Sequence, residues 1–227
     1  MQRRTLDIII SIGGLGLVAL LVIGAFVLRD EGNFSRNYVK DELSAQKITF
    51  TSADKLTDLD KQYSAARTNC IVKYAGQELT TGKQAECYAN EVLGSHISRM
   101  PTADAPMTYS QIGTAQSDIR AKITAANAAG DTAGAAALQK QLDSLTTSRE
   151  TVFKGEMLRG ALLTTYGFST LGDRAMLASN VALAAAAIFA VLSVAGLVHA
   201  FVTPKTKAFA AVPEPKTEGF TGQPAKA

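Results

Sequence analysis

The residues of this sequence best suited to chemistry are two histidines and a short cluster of carboxylates. His96 and His199 are the only histidines, and His199 lies in an apolar stretch that is long enough to cross a membrane. Catalytic zinc and non-haem iron sites bring two or three histidines together. The cluster of Asp54, Asp58 and Asp60 lacks the glycine and the terminal glutamate of a calcium loop, which is typical of a solvated face. We therefore expect no catalytic residue, no metal site and no cofactor in this chain.

Motifs of the common enzyme classes are missing from the sequence. It contains no GxSxG nucleophile elbow, no HExxH zinc motif and no phosphate-binding glycine loop. The stretch GGLG at residues 13–16 falls inside an apolar segment, where glycines favour close helix packing. Between residues 29 and 177 the chain has 17 basic and 17 acidic side chains, so a nucleic-acid-binding surface is not expected. A protein partner is the better use of this neutral surface.

Two cysteines, Cys70 and Cys87, lie in the polar middle of the chain. On the oxidising side of a membrane such a pair can form a lasting disulfide, and closing a loop of this size stabilises a fold by about 3 kcal/mol. A pair of buried free thiols is the alternative. Zinc sites need cysteines in close pairs, and this spacing does not provide them. We expect the disulfide.

Two uncharged apolar segments must position these residues. Residues 177–202 contain no charged side chain except His199, and residues 8–28 contain none. Each is long enough for a transmembrane helix. The first could instead be a cleaved secretory signal, but signal cores usually span about 7 to 15 residues, and we expect a retained anchor.

Alanine recurs every four residues in the second span, where it forms one helix face. Small side chains let another helix approach closely in the membrane, although alanine could also simply fill a permissive span. We predict helix packing through this face, which consists of Ala178, Ala182, Ala186 and Ala190.

Charge at the ends of the chain predicts its orientation. Residues 1–7 have a net charge of +1 and residues 203–227 a net charge of +2, which together account for the +3 of the chain. Basic flanking segments stay in the cytoplasm. We therefore expect a plasma-membrane protein with cytoplasmic residues 1–7, an external domain at 29–176, and a disordered cytoplasmic tail at 203–227, whose composition is poor in core-forming residues.

The periodicity of the external segment predicts helices. A helix is expected just after the first span, and another from residue 83 to about residue 97, ended by Pro101 and Pro106. Isoleucines and leucines at helical spacing follow on both sides of Gly130, which predicts an antiparallel helical hairpin. The fold class is therefore an all-α membrane protein, with two transmembrane helices flanking a mostly helical external domain.

Three stretches of the sequence resemble a known family. They are YVKDELSAQKITF at residues 38–50, YAGQELTTGKQAECYAN at 74–90 and SHI at 95–97. The chain is similar to the actinobacterial respiratory supercomplex association factors, accessory subunits of the assembly of cytochrome bcc with cytochrome aa3 oxidase. The resemblance implies a structural role, with haem and copper held by neighbouring subunits. Similar sequences are sometimes labelled ring-opening dioxygenases, but the iron ligands of that chemistry are missing here.

Two other classes of membrane protein share parts of this pattern. Chain-length regulators of surface polysaccharide also have two spans around an external helical domain, but usually carry a proline-rich segment before the second span. A transmembrane sensor would need an output domain after the second span. The sequence favours an accessory subunit, with a polysaccharide regulator or another two-span scaffold as the alternative.

Overall fold

The computed structural model describes residues 3–100 and 107–202, and helices dominate this part of the chain. The predicted tail at 203–227 and the two prolines at 101 and 106 lie outside the described residues. A short 3-10 helix covers Ala53–Lys55, and a π-helix, Tyr88–Leu93, joins α4 to α5. The α-helices are α1 Arg3–Ala45, α2 Asp58–Ala65, α3 Cys70–Tyr74, α4 Gly82–Cys87, α5 Gly94–Ser98, α6 Tyr109–Ala128 and α7 Thr132–Val202.

The first and last helices are long and apolar enough to cross a membrane. The predicted span at 8–28 and the helix expected after it form the single helix α1. Likewise α7 is continuous from the turn at Gly130 to the end of the second apolar segment. The contacts between residues divide the described chain into two units. We call residues 3–26 and 179–202 the span pair, and residues 27–100 and 107–178 the disulfide domain.

Small residues form the contact between the two helices of the span pair. Ser11 and Ala25 of α1 are buried, as are four residues of α7 that recur every seven positions, Ser179, Ala186, Ser193 and Ala200. A repeat of seven keeps one helix edge facing a partner, as in coiled coils. The hydroxyl of Ser179 donates a hydrogen bond to the carbonyl of Ala25 at 2.8 Å.

Two glycines make the close approach of these helices possible. A Cβ atom at Gly14 would collide with the side chain of Ser193, and one at Gly196 would collide with that of Ser11. The helices run antiparallel, because the early residue of α1 meets the late residue of α7 in each pair. In a membrane, where lipid removes the hydrophobic drive for helix association, such close packing of small residues is what holds two helices together.

The core of the disulfide domain packs the short helices against α1 and α7. Its buried apolar residues come from α1, α3, α4, the π-helix, the connecting segments and α7, and they are Val39, Leu43, Phe50, Leu56, Cys70, Ile71, Leu79, Ala85, Cys87, Ala89 and Leu162. The segment at residues 48–50 pairs with residues 77–79: the amide of Phe50 donates to the carbonyl of Gln77 at 2.9 Å. The rings of Phe50 and Tyr88 pack edge to face, with their centroids 5.3 Å apart.

A second, smaller core lies where α6 packs on the first part of α7. Ile112, Leu145 and Val152 are buried there. Gln116 of α6 donates from its amide to the hydroxyl of Thr146 at 2.9 Å. The turn between the helices has Gly130 at a φ of 74°, a conformation in which a side chain would be strained.

Glycine also sets the distance between α1 and α7 within the disulfide domain. The helix α7 continues through Gly172 without interruption. A Cβ atom at Gly172 would press on the side chain of Ser35 at 2.8 Å. One residue further along each helix, Arg36 and Asp173 form an ion pair at 2.8 Å. Gly172 therefore serves close packing.

Candidate functional site

Cys70 and Cys87 form a disulfide, as the sequence predicts. Cys70 is the first residue of α3 and Cys87 is the last residue of α4, and their Cα atoms lie 5.9 Å apart. Both side chains are buried in the core of the domain. The bond fastens α3, which has only five residues, to the longer helical run that follows it. A helix this short needs such tertiary support.

Glu91 lies one helical turn after Cys87 and is also buried, with 1% of its surface exposed. Its carboxylate accepts hydrogen bonds from the backbone N–H of Thr68 at 3.0 Å and from that of Cys70 at 3.1 Å. The hydroxyls of Ser64 and Thr68 donate to it as well. A buried carboxylate is stable only when such donors replace water. Glu91 therefore closes the loop between α2 and α3, in which Asn69 adopts a left-handed backbone at φ 54°.

The same hydrogen bonds set the charge of Glu91. Burial raises the pKa of this carboxyl, but the hydrogen bonds from Ser64, Thr68 and Cys70 together outweigh burial and hold the pKa below its usual range. Glu91 is therefore an anion at neutral pH. Four donors surround its two oxygens, an arrangement that suits a fixed structural charge better than a group that exchanges protons.

A wide turn of backbone carries Glu91 to this position. Residues Tyr88–Leu93 form a π-helix, which is rare and often occurs at functional sites. The helix before it begins with a capping box, in which the Thr81 hydroxyl accepts from the backbone of Gln84 and the Gln84 side chain accepts from that of Thr81. The cap fixes where the helical run starts, and the π-turn then shifts the direction of the residues that follow Cys87.

An open cleft of about 520 Å³ lies beside the disulfide. Four basic side chains from different elements line it, and they are Arg67, Lys73, Lys83 and Arg159. Two acidic residues, Glu86 and Glu91, also contribute to its wall. The cleft therefore has a net positive charge, although the domain as a whole is close to neutral. This arrangement suits the binding of an anion.

Aromatic rings hold two of these cations in place. The guanidinium of Arg67 lies 3.4 Å from the centroid of the Tyr63 ring, and the ammonium of Lys83 lies 4.6 Å from that of Tyr166. Lys83 also donates hydrogen bonds to the Tyr166 hydroxyl and to Glu86, each at 3.0 Å. These hydrogen bonds, that to Tyr166 most of all, raise the pKa of Lys83, so it stays charged.

The same region brings three metal-type ligands together. The sulfur atoms of Cys70 and Cys87 and a carboxylate oxygen of Glu91 lie within 4.8 Å of one another. The two sulfurs are bonded to each other and Glu91 is bonded to its donors. In this state the residues provide a cross-link and a buried charge, and no thiolate is offered to a metal.

The four alanines predicted as a packing face do not share one environment. Ala186 is buried against α1, Ala182 and Ala190 are half-buried, and Ala178 is exposed. The contact that buries Ala186 is made within the chain itself. Packing of this face on another protein stays a prediction.

The histidines and the acidic cluster have separate roles in the structure. His96 is exposed in the disulfide domain, whereas His199 in the span pair has its Nδ1 3.1 Å from the carboxylate of Asp7. Asp60 belongs to the capping box of α2 and pairs with Arg99 at 2.7 Å. That bond from Arg99 holds the pKa of Asp60 below its usual range. Asp54 and Asp58 face solvent, as the sequence predicts, whereas Asp60 is half-buried.

Sequence reasoning missed the partners of Glu91. The available signal was the polar run Thr68-Asn69 directly before Cys70, together with an acid four residues after Cys87. In a helix, residues four apart share a face. An acid four residues after Cys87 therefore lies close to the segment that the disulfide joins to Cys87.

Comparisons with known families, with curated proteins and with solved structures found no match to this chain. The function is therefore argued from the geometry.

Proposed function

We propose that this chain is a non-catalytic accessory subunit of a membrane respiratory complex of the cytochrome bcc–aa3 type. Both long apolar helices cross the plasma membrane. Residues 1–7 and 203–227, which flank them at the two ends of the chain, are cytoplasmic, and the disulfide domain is on the external side. The resemblance of residues 38–50, 74–90 and 95–97 to the supercomplex association factors supports this class of complex. In this proposal the haem and copper groups belong to the neighbouring subunits.

A free glycine face on α1 is the observation that carries the proposal. Gly13, Gly16 and Gly24 have no atom within 4 Å of the place where a Cβ would stand. At 3.6 residues per turn they lie within an arc of about 80°. Gly14, which packs on α7, lies about 120° from the centre of this arc. Glycine on a membrane helix away from its own partner is suited to the close approach of another helix.

Leu20 lies within the same arc, between Gly16 and Gly24, and is 69% exposed. A helix of another subunit would approach α1 closely at the glycines and pack against Leu20 between them. The proposed contact leaves the span pair intact, because it uses a side of α1 that does not face α7.

Co-purification with the respiratory enzymes tests the proposal. The tagged protein is extracted from its native membranes in mild detergent, its companions are identified by mass spectrometry, and the visible absorption spectrum is recorded. We expect bcc and oxidase subunits together with haem absorbance. A colourless preparation would contradict the proposal, and companions that are glycosyltransferases would instead support a regulator of polysaccharide chain length.

Two variants with added side chains test the glycine face itself. Gly13→Leu adds a large side chain to the glycine face and should reduce the recovery of haem, whereas Ala19→Leu adds a similar volume on another exposed side of α1 and should not. Equal recovery from both variants would remove the glycine face from the proposal. An Ala186→Leu variant is a poorer test, because Ala186 is buried within the chain and a larger side chain there presses on α1.

A further inference from the structure

The cleft beside the disulfide has a charge that its own residues do not balance. Four basic and two acidic side chains line it, which leaves a net charge of +2. One of the acids, Glu91, is already held by donors from the loop between α2 and α3. The other, Glu86, pairs with Lys83. Among the described residues, Arg67 and Lys73 form no ion pair with a carboxylate.

Arg159 contributes hydrogen-bonding capacity that the chain leaves unused. Its contacts are long for charge-assisted hydrogen bonds: 3.4 Å to the carboxylate of Glu156 and 3.3 Å to the amide oxygen of Asn90. Its Nε–H is buried and has no acceptor within the described part of the chain. An unpaired buried donor costs free energy, so a ligand that draws the guanidinium into better geometry would relieve this cost.

Arg67 is held ready for a ligand before one arrives. Its guanidinium lies over the ring of Tyr63, and one of its nitrogens donates to the Tyr63 carbonyl at 3.0 Å. Binding through a fixed side chain loses less conformational entropy than binding through a free one. Two guanidinium groups, on Arg67 and Arg159, thus line one cleft, and their forked donors match the oxygens of a phosphate group.

We propose that this cleft binds a phosphate monoester or diphosphate group. A phosphate monoester has a charge of about −1.5 to −2 at neutral pH and three oxygens that accept hydrogen bonds from guanidinium groups. This charge is close to the +2 of the residues that line the cleft. The volume of about 520 Å³ lies within the usual range for small-ligand sites. The group can belong to a free molecule or to a lipid with a phosphomonoester head, and its chemistry is the same in both.

Calorimetric titration of the full-length protein with pyrophosphate tests the site. The chain is purified in detergent without phosphate, and the paired variant Arg67→Gln with Lys73→Gln is compared with Lys122→Gln with Lys140→Gln. The latter residues are exposed and lie outside the cleft. We expect the cleft variant to bind at least about tenfold more weakly, since each lost charged hydrogen bond reduces affinity by about that factor. The control variant should bind like the wild type.

A second arm distinguishes a lipid from a soluble ligand. The protein is placed in phosphatidylcholine nanodiscs with or without phosphatidic acid. Native mass spectrometry then measures which lipid stays bound to the protein when the protein is released from the nanodisc. Retention of phosphatidic acid that is lost in the cleft variant would assign the phosphate to a lipid, even if pyrophosphate binds weakly. No binding in either arm, or equal binding by the cleft and control variants, would overturn the proposal. Unchanged melting temperatures of both variants establish that they are folded.

Discussion

The buried carboxylate of Glu91 ties the stability of the disulfide domain to pH. Its folded-state pKa lies below the value of about 4.3 that a free glutamate has. Its contribution to folding is therefore complete above the unfolded pKa and is lost as the pH falls through the folded pKa. Replacing Glu91 with Gln removes the charge and turns one acceptor into a donor that faces other donors. We expect a loss of about 2 kcal/mol at pH 7, the size of a charged hydrogen bond.

Unfolding measured between pH 7 and pH 3 checks this expectation. The difference in stability between wild type and Glu91→Gln should shrink as the pH falls, because the wild type gradually loses the same charge. Asp60, whose pKa is also lowered by its hydrogen bond from Arg99, stays in both proteins and so cancels from the difference. Glu150→Gln, at an exposed position on α7, is the matched control. A constant difference at all pH values would contradict the role assigned to the charge.

At the scale of the helices, neighbouring glycines of α1 should respond to substitution in opposite ways. A leucine at Gly14 collides with Ser193 and forces the span pair apart, whereas one at Gly13 meets open space. Overpacking of this kind costs about 1–3 kcal/mol. Cysteines placed at Ala25 and Ser179, which are hydrogen-bonded in the structure, report on the contact through their cross-linking yield in membranes. We expect Gly14→Leu to reduce this yield and Gly13→Leu to leave it unchanged.

The Gly13→Leu and Gly14→Leu variants also distinguish a contact of α1 with another protein from its contact with α7. If Gly13→Leu lowers the recovery of partners while the cross-link still forms, the glycine face contacts another protein and not α7. A similar loss of cross-linking in both variants would contradict the packing in which Gly14 of α1 faces Ser193 of α7 and Gly13 does not.

The apolar segments could be predicted from the sequence because length and absence of charge decide them almost alone. The disulfide could be predicted because only two cysteines occur and the compartment favours their pairing. The details of the contact between the two helices of the span pair could not be predicted. The alanine repeat of four suggested one face, but the buried residues of α7 recur every seven, and two of them, Ser179 and Ser193, are serines that hydropathy does not single out.

The burial of Glu91 could not be predicted for a related reason. Its donors lie 21 to 27 residues earlier in the chain, and only the folded loop brings them to it. The π-helix that carries it leaves no mark in the hydrophobic pattern, because the wider turn changes the register of only a few residues. Local periodicity therefore predicts the helical run after residue 82 and not the one position within it that depends on distant partners.

For the whole molecule, the charge of the ends and the disulfide are consistent with the same predicted orientation. The basic flanks of the two spans favour the cytoplasm, and a disulfide persists on the oxidising side of the membrane. A peptide tag inserted at the exposed turn after Gly130 should therefore be labelled by antibody in intact protoplasts, while a tag after residue 227 should be labelled only after permeabilisation. The insertion is tolerated because this turn lies on the surface between two helices. Labelling of the second tag in intact protoplasts would reverse the orientation and leave the disulfide on the reducing side. It would then contradict the proposed external contact with respiratory enzymes as well.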